Sequence, residues 1–417
     1  MRLVVQKYGG TSVGTPERIR NVARRLVETQ RDGCQVVAVI SAMAGFTDEL
    51  IKLAQGVSPH PTERELDILL ATGEHAASAL TAMAVNALGG RAVSLTGAQA
   101  GILTDGNHTK ARIANISPKQ IHELLSDDYI VIVAGFQGQT LEGETTTLGR
   151  GGSDLTAIAL AGALNADVCQ IFTDVDGVFT CDPRVVSGAK KLDEVAYDEL
   201  LEMASTGSKV MQSRAVEFAK KFGIEFEVRS SFKRSAGTIA REATPSMEDV
   251  VIRGISLERH QAKLTVAGVR DEPGIAGRIF SNIAAAHIIV DMIVQNAAID
   301  GTTDISFTIH EDELENARQV LMPVVGEVGA SRLNTASGVA KLSVVGIGMR
   351  SHSGVAARMF ECLGRGGINI QLVSTSEIKI AVVIDENDAQ RAAQLIHAEF
   401  GLARLMSAAE DAAVPLG

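Results

Sequence analysis

The chain has no tryptophan and three tyrosines, and aromatic residues make up only 4% of it. That scarcity argues against a β-sandwich and for an α/β core of alanine, valine, isoleucine and leucine, within a hydrophobic fraction of 46%. Cysteine is scarce too. Cys34, Cys169, Cys181 and Cys362 are widely spread, none forms a CxxC pair, and histidines do not cluster near them, so neither a zinc site nor a disulfide framework is indicated and a reducing cytoplasm fits. Positive charge is in deficit, with 39 Lys and Arg against 50 Asp and Glu and a net of −11. This argues against a general nucleic-acid or anionic-membrane surface and leaves any anion site local. No apolar run of about 18 residues reads as a membrane span, and the apolar start is too short for a signal peptide.

What is present begins at once. Val4-Val5-Gln6-Lys7-Tyr8-Gly9-Gly10-Thr11-Ser12-Val13-Gly14 is a β-branched run delivering a lysine, two glycines and two hydroxyls into a turn. Two glycines let backbone N–H groups close on a polyanion, Thr11 and Ser12 are placed to cap the next helix, and Lys7 supplies a point charge. The lysine precedes the glycines, so this is not a Walker A loop. On local sequence alone the stretch reads equally as an ordinary structural turn.

Further on, residues 16–29 carry Ile19, Val22, Ala23, Leu26 and Val27 at helical spacing. Residues 35–40 are a buried strand leading into the small-residue turn Ser41-Ala42-Met43. Residues 63–88 read as a helical region broken near Thr72-Gly73-Glu74, and 97–108 as irregular. A strand at 130–134 precedes a return through Gly149-Arg150-Gly151-Gly152-Ser153-Asp154 into an apolar helix, a second anion-capable turn whose plain alternative is a helix cap by Ser153 or Asp154. The strand at 168–172 ends in Thr173-Asp174-Val175-Asp176-Gly177-Val178-Phe179-Thr180. Residues 200–222 read as helical, with Lys209 near the start.

Strand and helix patterns alternate through residues 1–234, which predicts a mainly parallel sheet covered by helices; residues 235–249 read as a linker. Beyond it the chain repeats itself. Lys263-Leu264-Thr265-Val266-Ala267-Gly268 matches Lys341-Leu342-Ser343-Val344-Val345-Gly346, and Gly274-Ile275-Ala276-Gly277-Arg278-Ile279-Phe280 matches Gly354-Val355-Ala356-Ala357-Arg358-Met359-Phe360. Two copies, 250–335 and 336–417, each have the length of a ferredoxin-like βαββαβ unit.

Taken in order, the Lys7–Gly14 stretch, Ser41-Ala42-Met43, Thr72-Gly73-Glu74, the Gly149–Asp154 turn and the Thr173–Thr180 turn resemble aspartokinases of the amino acid kinase superfamily, and the tandem repeat resembles their regulatory ACT domains. The resemblance covers essentially the whole chain. It implies a three-layer αβα kinase domain followed by two ACT domains, with the first ACT unit inserted into the second, so that the strand at 250–257 belongs spatially with the second. It also implies transfer of the γ-phosphoryl of MgATP to the β-carboxylate of L-aspartate, the step opening lysine, threonine and methionine biosynthesis.

The family's roles fall on named residues. Lys7 and Asp154 are implied as catalytic; Ser41, Thr47, Glu74, Arg150, Gly151, Gly152 and Ser153 as the aspartate pocket, with Glu74 meeting the substrate ammonium and Arg150 its α-carboxylate. Lys7, Tyr8, Gly9, Gly10 and Thr11, with Thr173, Asp174, Phe179, Asp182, Arg184 and Lys209, fall where the family binds ATP. No carboxylate is singled out as a magnesium ligand. Effector residues are implied at Asp271, Gly274, Ile275, Ala276, Ile289, Asp291 and Gln295 in the first copy and at Val355, Ala356, Asn369 and Ile370 in the second, for lysine, threonine or both. Ile289 stands where the second copy has Asn369, and Ala356 where a hydroxyl is frequent. Assembly through the ACT domains is implied, and Met247 resembles the internal start of relatives that make a separate regulatory subunit. A related kinase acting on N-acetylglutamate or uridylate, or a catalytically silent amino-acid sensor, are the alternatives; Glu74 and the retention of Lys7, Arg150 and Asp154 speak against them.

Overall fold

The computed structural model of the chain describes residues 1–205, 211–248, 250–297 and 301–403. Its first unit comprises Met1–Val178, Lys191–Ala204 and the described part of Lys209–Thr244; the second holds Phe179–Lys190 and the described part of Pro245–Gly417.

The first unit runs β1 (Arg2–Tyr8), α1 (Pro16–Arg31), β2 (Cys34–Ile40), α2 (Phe46–Val57), α3 (Glu63–Ala87), β3 (Ala92–Leu95), β4 (Ile102–Thr104), β5 (Ile113–Ile116), α4 (Lys119–Ser126), β6 (Ile130–Ala134), β7 (Gln137–Gln139), β8 (Thr145–Thr147), α5 (Gly152–Ala163), β9 (Val168–Thr173), β10 (Glu194–Ala196), α6 (Tyr197–Ser205), α7 (Ser213–Phe222), β11 (Phe226–Ser230) and β12 (Thr238–Arg241). Eight strands make the main sheet in the order β10-β12-β11-β9-β1-β2-β6-β3, with β11 and β12 its one antiparallel pair. A small second sheet, β5-β4-β7-β8, lies in the same unit.

Helix α1 shows why these residues choose this form. Thr15 accepts the Arg18 amide at 3.3 Å, Pro16 opens the first turn, and Ile19, Val22, Ala23, Leu26 and Val27 form one buried stripe. Each of the isoleucine, valine and leucine side chains contributes roughly 1.5–3 kcal/mol on burial. The stripe packs with α3 over Val36, Ala38, Ile40, Ile130 and Ile132 of the sheet, while α5 packs on β1, β2 and β9.

Four local expectations fail here. The cap of α1 is Thr15; Thr11 and Ser12 belong to a 3-10 turn, and the Ser12 hydroxyl meets that of Ser231 at 2.5 Å. Helix α3 is continuous through Thr72-Gly73-Glu74. Gly73 is there for proximity, since a Cβ on it would stand 2.9 Å from that of Ala42. The stretch 97–108 contains β4, and the helical stretch near 200–222 is two helices, α6 and α7. Helix α3 is long and apolar enough to cross a membrane by length and composition alone, and half of its apolar window is buried in this unit, as in a core helix.

The second unit continues with α8 (Pro245–Glu248), β13 (Gly254–Arg270), α9 (Ile275–Ala285), β14 (Ile293–Ala297), β15 (Thr302–His310), α10 (Leu314–Glu327), β16 (Arg332–Val345), α11 (Val355–Arg365), β17 (Leu372–Thr375), β18 (Lys379–Asp385) and α12 (Ala389–Glu399). One six-stranded sheet, β14-β15-β13-β16-β18-β17, serves both repeat copies. Strands β13 and β16 are long enough to belong to both. Gly254–Glu258 pairs with Lys341–Val345 beside β18, whereas the later half of β13 pairs with β15 and with the start of β16. Ile252 and Ile255 accordingly lie in the core under α11 and α12, and Leu264 and Val266 in the core under α9 and α10.

The segment Phe179–Lys190 departs from a simple division after residue 234. Ile255 donates its amide to the Thr180 carbonyl at 2.7 Å, Cys181 and Val186 enter the α11–α12 core, and the Thr180 hydroxyl meets His397 Nε2 at 2.9 Å. Apolar side chains in what reads as a turn found a core to complete.

Candidate active site

Parallel pairing brings four strand ends level. Tyr8 is in register with Ile40 of β2 and with Phe172 of β9, and Ile40 with Ala134 of β6. In an open α/β sheet the crevice beyond these carboxyl ends is where ligands collect. The turns that leave them are tied together through the backbone: Ser41 donates to Tyr8 O at 3.1 Å, Ala44 to Gly10 O at 3.2 Å and Gly135 to Ile40 O at 3.0 Å. Only glycine fits at residue 10, because a Cβ there would lie 2.8 Å from the Ala42 carbonyl oxygen.

Lys7, the penultimate residue of β1, places Nζ 2.6 Å from Asp154 Oδ1 in the first turn of α5, with each side chain 11% exposed. The two motifs that stand about 150 residues apart thus share one ion pair. Asp154 is held by the sharp entry to α5, where Gly151 precedes the helix at φ 71° and makes no side-chain cap. The expected caps by Ser153 or Asp154 are not formed. Ser153 is buried against Gly135, whose missing Cβ would stand 2.8 Å from the serine hydroxyl, and Gly152 leaves room for Phe136 and Leu148. Arg150 is exposed and makes no ion pair among the described residues.

The Gly9 amide is engaged already, donating to Phe172 O at 3.2 Å. It is therefore not one of the free donors of the turn; its missing Cβ instead leaves room beside Lys7 Nζ. Tyr8 stacks on Phe172 with centroids 4.7 Å apart, and Arg25 lies over the other ring at 4.6 Å from its centroid. Tyr8 is thus a buried pillar under the turn, and burial pushes its phenol well above the ordinary tyrosine range.

Glu74, on α3, is buried. Its Oε1 accepts the Ala42 amide at 3.0 Å, while Oε2 has no hydrogen-bond partner. Burial raises the carboxyl to about 7, against the opposing pull of the Ala42 amide. A buried carboxylate oxygen without a partner is an uncompensated polar group at the crevice of strand ends. Ser41, after β2, and Thr47, in the first turn of α2, are half-buried nearby in the chain.

Two groups escape a motif-based reading. Asp67, fully buried two turns before Glu74 on the same face of α3, accepts from Thr147 Oγ1 at 2.5 Å, His108 Nδ1 at 2.8 Å and the Thr109 amide at 3.0 Å. Arg214 donates to Leu148 O at 2.5 Å and Ala111 O at 3.1 Å. Together they brace the segment that carries Arg150. The seven-residue spacing of Asp67 and Glu74 is the one sequence signal for the first; nothing local marks the second.

Of the expected nucleotide residues, Thr173 and Asp174 sit at the end of β9 and bond to each other at 3.1 Å. Phe179, Asp182 and Arg184 lie in the segment that packs with the second unit, where Asp182 and Arg184 pair with one another at 2.7 Å. Lys209 is outside the described residues. In the second unit, Asp271, Gly274, Ile275, Ala276 and Gln295 line a shallow cavity of about 320 Å³ with Arg270, Glu272 and Pro273. Ile289 is 85% exposed, Asn369 is exposed, Ile370 half-buried and Val355 buried with Ala356 beside it. Asp291 pairs with the buried Lys341, which also meets Glu258 at 3.0 Å.

Residues 2–230 match the amino acid kinase family model, and 264–322 and 342–400 each match an ACT domain model. The chain is 52% identical over 403 residues to an aspartate kinase of Stutzerimonas stutzeri, covering 96% of this chain and 98% of that one. It is 47% identical over 407 residues to an aspartokinase of Mycolicibacterium smegmatis, covering 96% and 97%. Among solved structures, E. coli aspartokinase III has been seen with aspartate and ADP and with lysine and aspartate; it superposes with a TM-score of 0.78 at 25% identity, over 95% of this chain and 99% of that one. On sequence, fold and domain order, the chain belongs to the aspartokinases of the amino acid kinase family, with tandem ACT domains following the kinase domain.

Proposed function

We propose that the crevice at the ends of β1, β2, β6 and β9 transfers the γ-phosphoryl of ATP, delivered with magnesium, to the β-carboxylate of L-aspartate, giving 4-phospho-L-aspartate and ADP. The observation that carries this reading is the unsatisfied Oε2 of buried Glu74. A free α-ammonium meets that oxygen and stabilises its ionised form, whereas an N-acylated substrate brings no cation to it.

The attacking carboxylate is ionised at neutral pH, so no general base is required. Catalysis then rests on alignment and on neutralising charge around the transferring phosphoryl group. Lys7 is the point charge for the β- and γ-phosphates, and Asp154, 2.6 Å away, holds its ammonium in place. With Gly9 committed to Phe172, the amides that open the 3-10 turn at Gly10 and Thr11 are the donors left for phosphate oxygens. Arg150, exposed and free of competing ion pairs among the described residues, clamps the α-carboxylate with a planar fork. Ser41, Thr47 and Ser153 complete the aspartate pocket. Thr173 and Asp174 meet the nucleotide. Magnesium travels with the nucleotide and is held chiefly by phosphate oxygens.

The ACT pair is read as a sensor for an end-product amino acid, lysine or threonine, with the cavity at Asp271–Ala276 and Gln295 as the first-copy site and Val355, Ala356, Asn369 and Ile370 as the second. Hydroxylamine trapping of the acyl phosphate tests the activity: aspartate with MgATP should yield the hydroxamate, and glutamate and N-acetylglutamate should not. Folded enzyme giving no product from aspartate would overturn the reading.

A further inference from the structure

We infer that His260, Glu311 and Glu386 form a divalent transition-metal site at the junction of the two ACT copies. Each residue comes from a different element. His260 sits at φ 58° in the break of register between Glu258 and Gln261, midway along β13. Glu311 opens the 3-10 turn after β15, and Glu386 opens the equivalent turn after β18. The glutamates occupy corresponding places in the two copies, so the internal symmetry that puts β13 and β16 at the centre of one sheet brings the same side chain from each copy to His260.

One ligand atom from each residue lies within 4.8 Å of the others. Both carboxylates are already aimed. Glu386 Oε2 accepts the His260 amide at 3.2 Å, leaving Oε1 3.4 Å from His260 Nδ1; Glu311 Oε1 accepts the Gly338 amide at 3.3 Å, leaving Oε2 4.0 Å from the same nitrogen. No lysine or arginine pairs with either glutamate among the described residues. Two carboxylates converge on one imidazole nitrogen, and a divalent ion held between them offsets their mutual repulsion. One imidazole and two carboxylates suit zinc, manganese or cobalt, with water filling the remaining positions of an open site. The ion joins strand to turn across both copies, a place from which metal occupancy stiffens the regulatory sheet.

Cobalt is the probe, because its visible absorption reports ligation. Full-length enzyme is titrated with Co2+ in the absence of nucleotide, alongside His260→Ala, Glu311→Gln and Glu386→Gln. The expected result is about one Co2+ per chain in the parent, displaced by Zn2+, with affinity reduced about tenfold or more in each variant while the far-ultraviolet circular dichroism is unchanged. The glutamine variants leave the backbone at residue 260 untouched, so they remain decisive if His260→Ala fails to fold. Absence of binding in the parent, as expected if protonated His260 alone serves as the counter-ion, would overturn the proposal. So would binding of equal strength in parent and glutamine variants.

Discussion

Lys7 Nζ and Asp154 Oδ1, 2.6 Å apart, join the end of β1 to the first turn of α5. Each group is largely withdrawn from water, so removing one leaves the other poorly solvated and free to swing. Asp154→Asn should keep the fold and lower kcat by about 10²- to 10³-fold, with a smaller change in KM for aspartate. Steady-state kinetics with ADP release as the readout checks this, and a variant with near-parental kcat would refute the positioning role.

Glu74 makes a signed prediction about pH. Its carboxyl titrates near 7 in the folded protein, above the ordinary 4.5. The folded state therefore binds more protons than the unfolded one between these values, and this residue's contribution to stability falls as pH rises from about 4.5 through about 7, by about 3 kcal/mol in all. Glu74→Gln removes that loss. Thermal unfolding without ligands should show the variant gaining on the parent as pH rises from about 4.5 to about 7, with a constant lead above that window and no advantage below it.

The same titration governs substrate binding. Only ionised Glu74 pairs with an ammonium, so KM for aspartate in the parent should fall as pH rises through about 7, and Glu74→Gln should show a high KM without that pH dependence.

Asp67 acts through the loop it braces. Asp67→Asn puts an amide where three donors converge, those of Thr147, His108 and Thr109. A lost charged hydrogen bond costs about 1.5–3 kcal/mol. The variant should melt several degrees lower and raise KM for aspartate more than KM for ATP, because Thr147 lies three residues before Arg150. Equal changes in both KM values would point to a general loss of structure.

In the regulatory unit, Asp271→Ala should leave kcat without effector unchanged and weaken inhibition by lysine or threonine by about 5- to 150-fold, the range expected of a coupling of about 1–3 kcal/mol. Titrating the two amino acids separately and together checks it.

Much of this architecture is legible in the sequence because local pattern and tertiary role coincide. Buried runs such as Ile130–Ala134 announce a parallel sheet, and the glycine-rich turns fall at the ends of strands that pairing then aligns. What stays hidden depends on partners distant in the chain. Gly73 looks like a helix break, yet it is the close approach to Ala42 that requires it. Gly9 looks like a phosphate donor, but Phe172 takes its amide. Cys181 and Val186 look like turn residues until the α11–α12 core supplies their neighbours. Asp67 belongs to no motif, and only the meeting of α3 with the segments at 108 and 147 gives it work.

In the proposed reaction, buried and half-satisfied Glu74 selects a free amino acid for phosphorylation. The most direct measurement is kcat/KM for L-aspartate against N-acetyl-L-aspartate in the same assay. A site that leaves a buried polar group unpaired with the wrong substrate should discriminate by about 10⁴-fold. Comparable values for the two substrates would contradict the account.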